Sequence, residues 1–285
     1  MKKRTLLPLL VLVVALLIFG AYRVYDRHIT DTVAPKITIQ EGSELLQISV
    51  NDPQTALLQG VTVMDARDGD VTDSVIIESV GSINSSHQAT VTYAAFDKAG
   101  NVAKAQRTVQ YTDYHSPRFT LSAPLAFPFS SQTSMLDCIG AEDVLEGDIS
   151  YRVKATMMDE TSISAIGTHN VLFRVTNNLG DTAELVLPVE VYDAYTHSGQ
   201  LSLKEYIVYI PAGSSFEAKD YLDTFRFAGE SINLTRGVPA ELKLQLRGAV
   251  NVNEPGMYPV GFTVSTTRNE MVYSGYSKLI VVVEG

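Results

Sequence analysis

Three stretches of alternating residues recur along the chain, and they restrict its fold more than any other feature. They are Ala89, Val91, Tyr93, Ala95, Asp97; His169, Val171, Phe173, Val175, Asn177; and Tyr258, Val260, Phe262, Val264, Thr266. In each, the apolar members fall on one side of a period of two, as in a strand that lays one face on a core; a helix would scatter them around its circumference. The first two stretches run on alike, into Asp97-Lys98-Ala99-Gly100-Asn101 and Asn177-Asn178-Leu179-Gly180-Asp181. Asp, Asn and Gly tolerate the positive φ that a hairpin reversal demands, so each run reads as a turn into a closing strand, Arg107 to Tyr111 and Leu185 to Val191.

Two further pairs support the repeat, at nearly the same offset. Ala34-Pro35-Lys36-Ile37-Thr38-Ile39 matches Ser116-Pro117-Arg118-Phe119-Thr120-Leu121. An X-Pro pair before alternating residues suits an interdomain joint followed by an edge strand, because Pro cannot donate to a ladder. Asp65-Ala66-Arg67-Asp68-Gly69-Asp70-Val71-Thr72 is echoed by Asp143-Val144-Leu145-Glu146-Gly147-Asp148-Ile149-Ser150. Small changes in loop length account for the differences in offset. The last part of the chain keeps the Gly256-Met257-Tyr258-Pro259-Val260 approach and a closing strand Ser277 to Val283, but lacks the acidic Gly motif. It reads as a diverged relative.

Short alternating strands with frequent turn signals predict an all-β fold of tandem immunoglobulin-like antiparallel β-sandwiches. The expected domains are 34–113, 114–194 and a diverged third at 195–285. The acidic-Gly-Asp-hydrophobic-Thr/Ser turn, followed later by a Tyr-bearing strand and an Asp-x-x-Gly-Asn hairpin, resembles the bacterial immunoglobulin-like, cadherin-like repeats of pesticidal crystal proteins and Gram-positive cell-surface proteins. The resemblance covers residues 34 to 193 well and the third unit weakly. It implies a β-sandwich fold and is nearly silent about ligand.

Ahead of the repeats, Leu6 to Tyr22 carry no charge and follow Lys2, Lys3 and Arg4. As a helix at ~1.5 Å per residue they extend roughly 26 Å, near the ~30 Å of a bilayer core. Tyr22 and Tyr25 lie where interfacial aromatics anchor such a helix. Signal cleavage needs small residues at −3 and −1, and Ile18 or Phe19 would stand at −3 for cuts after Gly20 or Ala21. The expectation is an uncleaved transmembrane anchor at 6–22, a short cytoplasmic segment at 1–5 and a juxtamembrane linker at 23–33. The protein would then sit in the cell membrane as a single-pass chain with its N-terminus cytoplasmic and its C-terminus extracytoplasmic.

Charge argues against nucleic acid as a partner, since the net charge of −10 becomes about −14 once the first 27 residues are set aside, and phosphate would be repelled. A single Cys excludes an intrachain disulfide and a multi-cysteine zinc cluster. Five histidines show no HExxH spacing, and neither Gly-x-Ser-x-Gly nor a phosphate loop is present, so a non-catalytic protein is expected.

Asp65, Asp68 and Asp70 place three carboxylates within six residues, and Asp97 closes a hairpin that a sandwich can bring near them. Hard oxygen ligands of this kind suit Ca²⁺. The competing reading is that Asp68-Gly69 is a tight turn with solvated neighbours. In the second repeat the counterparts are Asp143, Glu146, Asp148 and Asn177, one charge fewer, so weak Ca²⁺ binding is expected to be stronger in the first. Tyr206, Tyr209 and Tyr221, near Phe216, Phe225 and Phe227, are candidates for a partner-binding surface in the third unit, with ordinary core filling as the competing reading.

Together these point to a membrane-anchored stalk or binding protein of the bacterial cell surface, offering immunoglobulin-like domains to a protein or a cell-wall glycan. The alternative is an accessory subunit of an envelope assembly for polysaccharide export or secretion, using the apolar helix as an interaction surface.

Overall fold

The computed structural model describes residues 6–42, 44–129, 131, 134–158, 165–193 and 198–285. The expected cytoplasmic segment 1–5 and the expected boundary at 194/195 lie outside the described residues. The chain forms two compact units, 1–114 and 115–285.

The first unit opens with a helix, Leu6–Ile29, followed by a sandwich. One sheet orders Lys36–Ile39, Val61–Asp65 and Gly69–Asp70; the other orders Leu45–Ile48, Val102–Tyr111, Gln88–Phe96 and Ile76–Val80. All pairings are antiparallel except Leu45–Ile48 against Val102–Tyr111, which is parallel. The second unit carries the same arrangement twice. Arg118–Leu121, Ile139–Asp143 and Gly147–Asp148 face Ala126–Pro128, Thr182–Tyr192, Gly167–Thr176 and Lys154–Met157. Gly199–Leu203, Leu222–Phe227 and Glu230–Asn233 face Ile207–Pro211, Met271–Glu284, Gly256–Arg268 and Lys243–Arg247. The third sandwich, divergent in sequence, thus repeats the strand order of the first two.

Alternation produces the cores. Ala89, Val91, Tyr93 and Ala95 are buried on one face of their strand, as are Val171, Phe173 and Val175, and Val260, Phe262 and Val264 on theirs. The long hairpins close as their turn chemistry requires. Gly100 and Gly180 adopt φ of +88° and +77°, and the last hairpin turns through Asn269 and Glu270, at +50° and +67°, as a primed two-residue turn demands.

The N-terminal helix corrects one expectation. Among the described residues no helix is long and apolar enough to cross a membrane. The single-pass membrane location and the transmembrane anchor at 6–22 are therefore set aside. The described side chains of this helix are exposed.

Candidate functional site

In the first sandwich, the acidic Gly motif divides into residues that serve the backbone and residues that meet in space. Asp70 Oδ1 accepts the amide of Thr72 at 2.9 Å, and Thr72 Oγ1 accepts the amide of Val63 at 2.9 Å, pinning the short strand to its neighbour. Asp148 and Ser150 do the same in the second sandwich, with Ser150 Oγ taking the amide of Ala141 at 3.0 Å. The Gly-Asp-hydrophobic-Thr/Ser signature is therefore a local brace. The Thr72 hydroxyl and amide hold Asp70 below the usual carboxylate range, as those of Ser150 hold Asp148. Asp68 is engaged too: its Oδ2 accepts the amide of Lys98 at 2.8 Å, and its Oδ1 lies 3.8 Å from Lys98 Nζ.

Asp65 and Asp97 belong to the other class. Both are buried, each 6% exposed, and both lie with Asp31 in a cluster in which one carboxylate oxygen from each residue is within 4.8 Å of the others. Asp65 Oδ1 accepts the amides of Arg67 and Asp68 at 2.7 and 2.8 Å. Those amides, Asp68 first, lower its pKa against the opposing effect of burial. Burial pushes the Asp97 carboxyl upward, but the Asn101 side chain and the amides of Asn101, Gly100 and Ala99 together outweigh it and leave the group below its usual range. The structure thus brings together Asp65 and Asp97 of the four predicted acids, and adds Asp31 from the segment after the helix.

The second unit holds a different feature. Ile207 and Ile280, on strands of the third sandwich, pack into the core of the second with Phe119, Leu187 and Val189. Around this shared core, Tyr209 Oη accepts the amide of Phe119 at 2.8 Å, and Arg118 lies over the Tyr209 ring at 5.2 Å. The Arg118 guanidinium also forks onto Glu284 at 2.9 and 2.5 Å. Burial pushes the Tyr209 hydroxyl up to about 12. Beside the joint runs a groove of about 1190 Å³ whose lining includes Phe127, Tyr192, Tyr206, Arg226, Phe227 and Tyr276. Of the three predicted tyrosines, Tyr206 lines this groove, Tyr209 closes the joint, and Tyr221 stacks on Phe216 at 5.7 Å against the third core.

Comparison with known proteins adds little to this geometry. No family model matches the chain. An uncharacterised 81.3 kDa protein of Acholeplasma phage L2 is 26% identical over 207 residues, 71% of this chain and 26% of its own length, so the chain spans about a quarter of that relative. Among solved structures, the extracellular cadherin domains 1–3 of Drosophila N-cadherin match 84% of this chain and 97% of theirs at 10% identity and a TM-score of 0.28. A Clostridium perfringens ZmpB structure of the CBM51-2 module in complex with GlcNAc, with INT domains, matches 55% of this chain and 26% of its own at 19% identity and a TM-score of 0.23. At these scores the fold assignment rests on the strand pairing itself.

Cys138 is half-buried, and burial followed by the charge of Asp137 pushes its thiol upward, away from a reactive thiolate. His169 is buried with Nε2 at 2.8 Å from the Ala165 carbonyl, which occupies it structurally.

Proposed function

We propose that this chain is a non-catalytic binding module of the bacterial immunoglobulin-like repeat kind, in which tandem sandwiches offer a recognition groove to a protein or a glycan. The groove of the second unit carries the reading. Tyr192, Tyr206, Tyr276, Phe127 and Phe227 supply aromatic faces, while Gln200, Arg226 and Glu230 supply hydrogen-bonding and charged groups beside them. Rings of this kind give contact area at small entropy cost and stack on sugar or peptide faces, and the polar groups orient what is bound. The joint of Ile207, Ile280, Tyr209 and the Arg118–Glu284 fork keeps both walls of the groove in register, so less order has to be created when a partner binds. Cys138, which lines the groove, has its thiol pushed upward by burial, away from a reactive thiolate.

The test is a glycan array and an envelope-extract pull-down with the whole chain, repeated with Tyr206→Ala and Arg226→Ala. Each variant is expected to lose about tenfold or more of the captured partner, the ~1.4 kcal/mol scale of one good contact; Arg226→Ala should leave the melting temperature little changed, whereas Tyr206→Ala, whose ring also packs against the third core, should lower it. Turnover of a glycan or peptide by the purified chain would refute the non-catalytic reading. Undiminished capture by both variants would refute the groove.

A further inference from the structure

We propose that Asp31, Asp65 and Asp97 form a divalent-cation site of the calcium class, built into the first sandwich and not into the second, which ties the segment after the N-terminal helix to that sandwich. This is independent of the groove. The decisive atom is Asp65 Oδ2, which is buried and has no hydrogen-bond partner among the described residues. A buried carboxylate oxygen left so is costly unless something positive meets it. The second sandwich shows what ordinarily meets it. There the corresponding Asp143 also takes two loop amides on Oδ1, from Leu145 and Glu146 at 2.9 and 3.0 Å. Its Oδ2, however, accepts Asn177 Nδ2 at 2.9 Å. Asp97 stands at the Asn177 position of the repeat, so a donor has been exchanged for a second carboxylate, and Asp31 supplies a third.

The surrounding atoms fit a hard cation. Asn101 Nδ2 donates to Asp97 Oδ2 at 2.7 Å and reaches the Asp31 carbonyl at 3.2 Å, so one amide fixes Asp97 and the incoming segment together. Val33 donates to Asp31 Oδ1 at 3.1 Å and shapes the same segment. All the donors are oxygens, the set that Ca²⁺ and Mg²⁺ take and that zinc thiolate sites do not. Trans oxygens around Ca²⁺ are roughly 4.6–5.2 Å apart and around Mg²⁺ roughly 4.0–4.2 Å. One oxygen from each of the three carboxylates lies within 4.8 Å of the others, close enough for all three to share one divalent cation; the larger, more flexible shell of Ca²⁺ suits ligands drawn from a linker and two turns better than the strict octahedron of Mg²⁺. Three carboxylates are fewer than the 6–8 oxygens Ca²⁺ takes, so water completes the shell and affinity belongs with extracellular modules, roughly 10⁻⁴–10⁻³ M.

The experiment titrates the whole chain, stripped with chelator, with calcium chloride or magnesium chloride, following heat of binding, melting temperature and proteolysis within residues 30–33. Calcium is expected to bind at one site, raise the melting temperature and protect that segment. Asp31→Asn is expected to abolish binding and protection. Asp97→Asn is the sharper variant, since it recreates the Asn177 arrangement: it should raise the melting temperature in chelator and lose the calcium response. A wild-type melting temperature equal in calcium and chelator overturns the site. So does an Asp97→Asn variant that keeps the response, which would move the ion to Asp68 and Asp70. A magnesium response equal to that of calcium overturns the calcium assignment.

Discussion

The first and second sandwiches share a strand order and differ in how they satisfy the same two interior positions. In the first, Arg107 is buried and donates to the carbonyls of Leu57 and Gln59 at 2.5 and 2.6 Å and to Tyr93 Oη at 2.8 Å. Tyr93 in turn donates to the Leu57 carbonyl at 2.6 Å. In the second, the corresponding residues of the repeat are Leu187 and Phe173, both fully buried and apolar. At the Asp65/Asp97 turn the contrast continues: the second sandwich closes its turn with an Asp–Asn hydrogen bond, whereas the first opposes two carboxylates. Asp31 also has a counterpart, Asp113, by the register that aligns Pro35 with Pro117. Asp113 is already engaged, accepting from Ser49 Oγ at 2.7 Å and from the Val50 amide at 2.8 Å. One backbone plan thus tolerates either a polar or an apolar interior, provided each polar group is met.

The strongest way to break this comparison is to exchange the interior residues. Leu187→Arg places a guanidinium in the second core, where Phe173 offers no hydroxyl, and an unmet buried charge is among the few single changes that cost more than ~4 kcal/mol. Loss of soluble folded protein is expected. The reverse change, Arg107→Leu, leaves the Gln59 carbonyl unmet but keeps the Tyr93 hydrogen bond, and should cost about 2–3 kcal/mol in chemical denaturation. Equal costs in both directions would show that the polar network is incidental to the first sandwich.

A smaller effect sharpens the comparison at the turn. Asn177→Asp removes the donor from Asp143 Oδ2 and sets a carboxylate against it, for an expected loss of about 1–3 kcal/mol. Calcium should not restore it, because two carboxylates alone supply too few of the 6–8 oxygens that Ca²⁺ takes. Recovery of the variant's melting temperature in calcium would mean that two carboxylates suffice, and that Asp31 adds little in the first sandwich.

Much of the fold is visible in the sequence because strand alternation, Pro35 and Pro117, and the Gly100 and Gly180 turns are local signals that tertiary context did not override. The acidic motif is a different matter. Asp65, Asp68 and Asp70 look alike in sequence, yet a carboxylate in a turn can be met by an amide two or three residues on, and strand register alone decides which one points inward. Asp70 is turned onto Thr72 and Asp68 onto Lys98, leaving Asp65 for the interior. Asp31 is missing from the sequence reading because it lies in a stretch that reads as a linker, and only the fold lays that stretch beside the Asp97–Asn101 hairpin. Asn101 carries a usable signal: it is the Asn of the Asp-x-x-Gly-Asn turn, whose side chain does more than shape the hairpin. Aromatic spacing singles out Tyr209 as a surface candidate, but that signal does not separate a groove from a joint.

The smallest effect concerns that joint and its pH range. Tyr209 has a pKa of about 12 in the folded chain, raised mainly by burial, against 10.0 when free. A raised pKa means the folded chain holds the proton more tightly than the unfolded one, so this contribution is complete below pH 10 and is lost as pH rises from 10 toward 12. Ionisation would place a charge within the packing of Phe119 and Ile207, against Glu284 on one side and with Arg118 on the other. The melting temperature of the second unit should therefore fall over that interval in the wild-type chain. Tyr209→Phe should be less stable at neutral pH, having lost the Phe119 amide contact, yet show a shallower decline above pH 10. Tyr276, raised by burial and by the charge of Glu190, and Tyr192 and Tyr221, raised first by burial, remain in that variant and account for the residual slope. Parallel declines in the two proteins would place the alkaline sensitivity outside the joint.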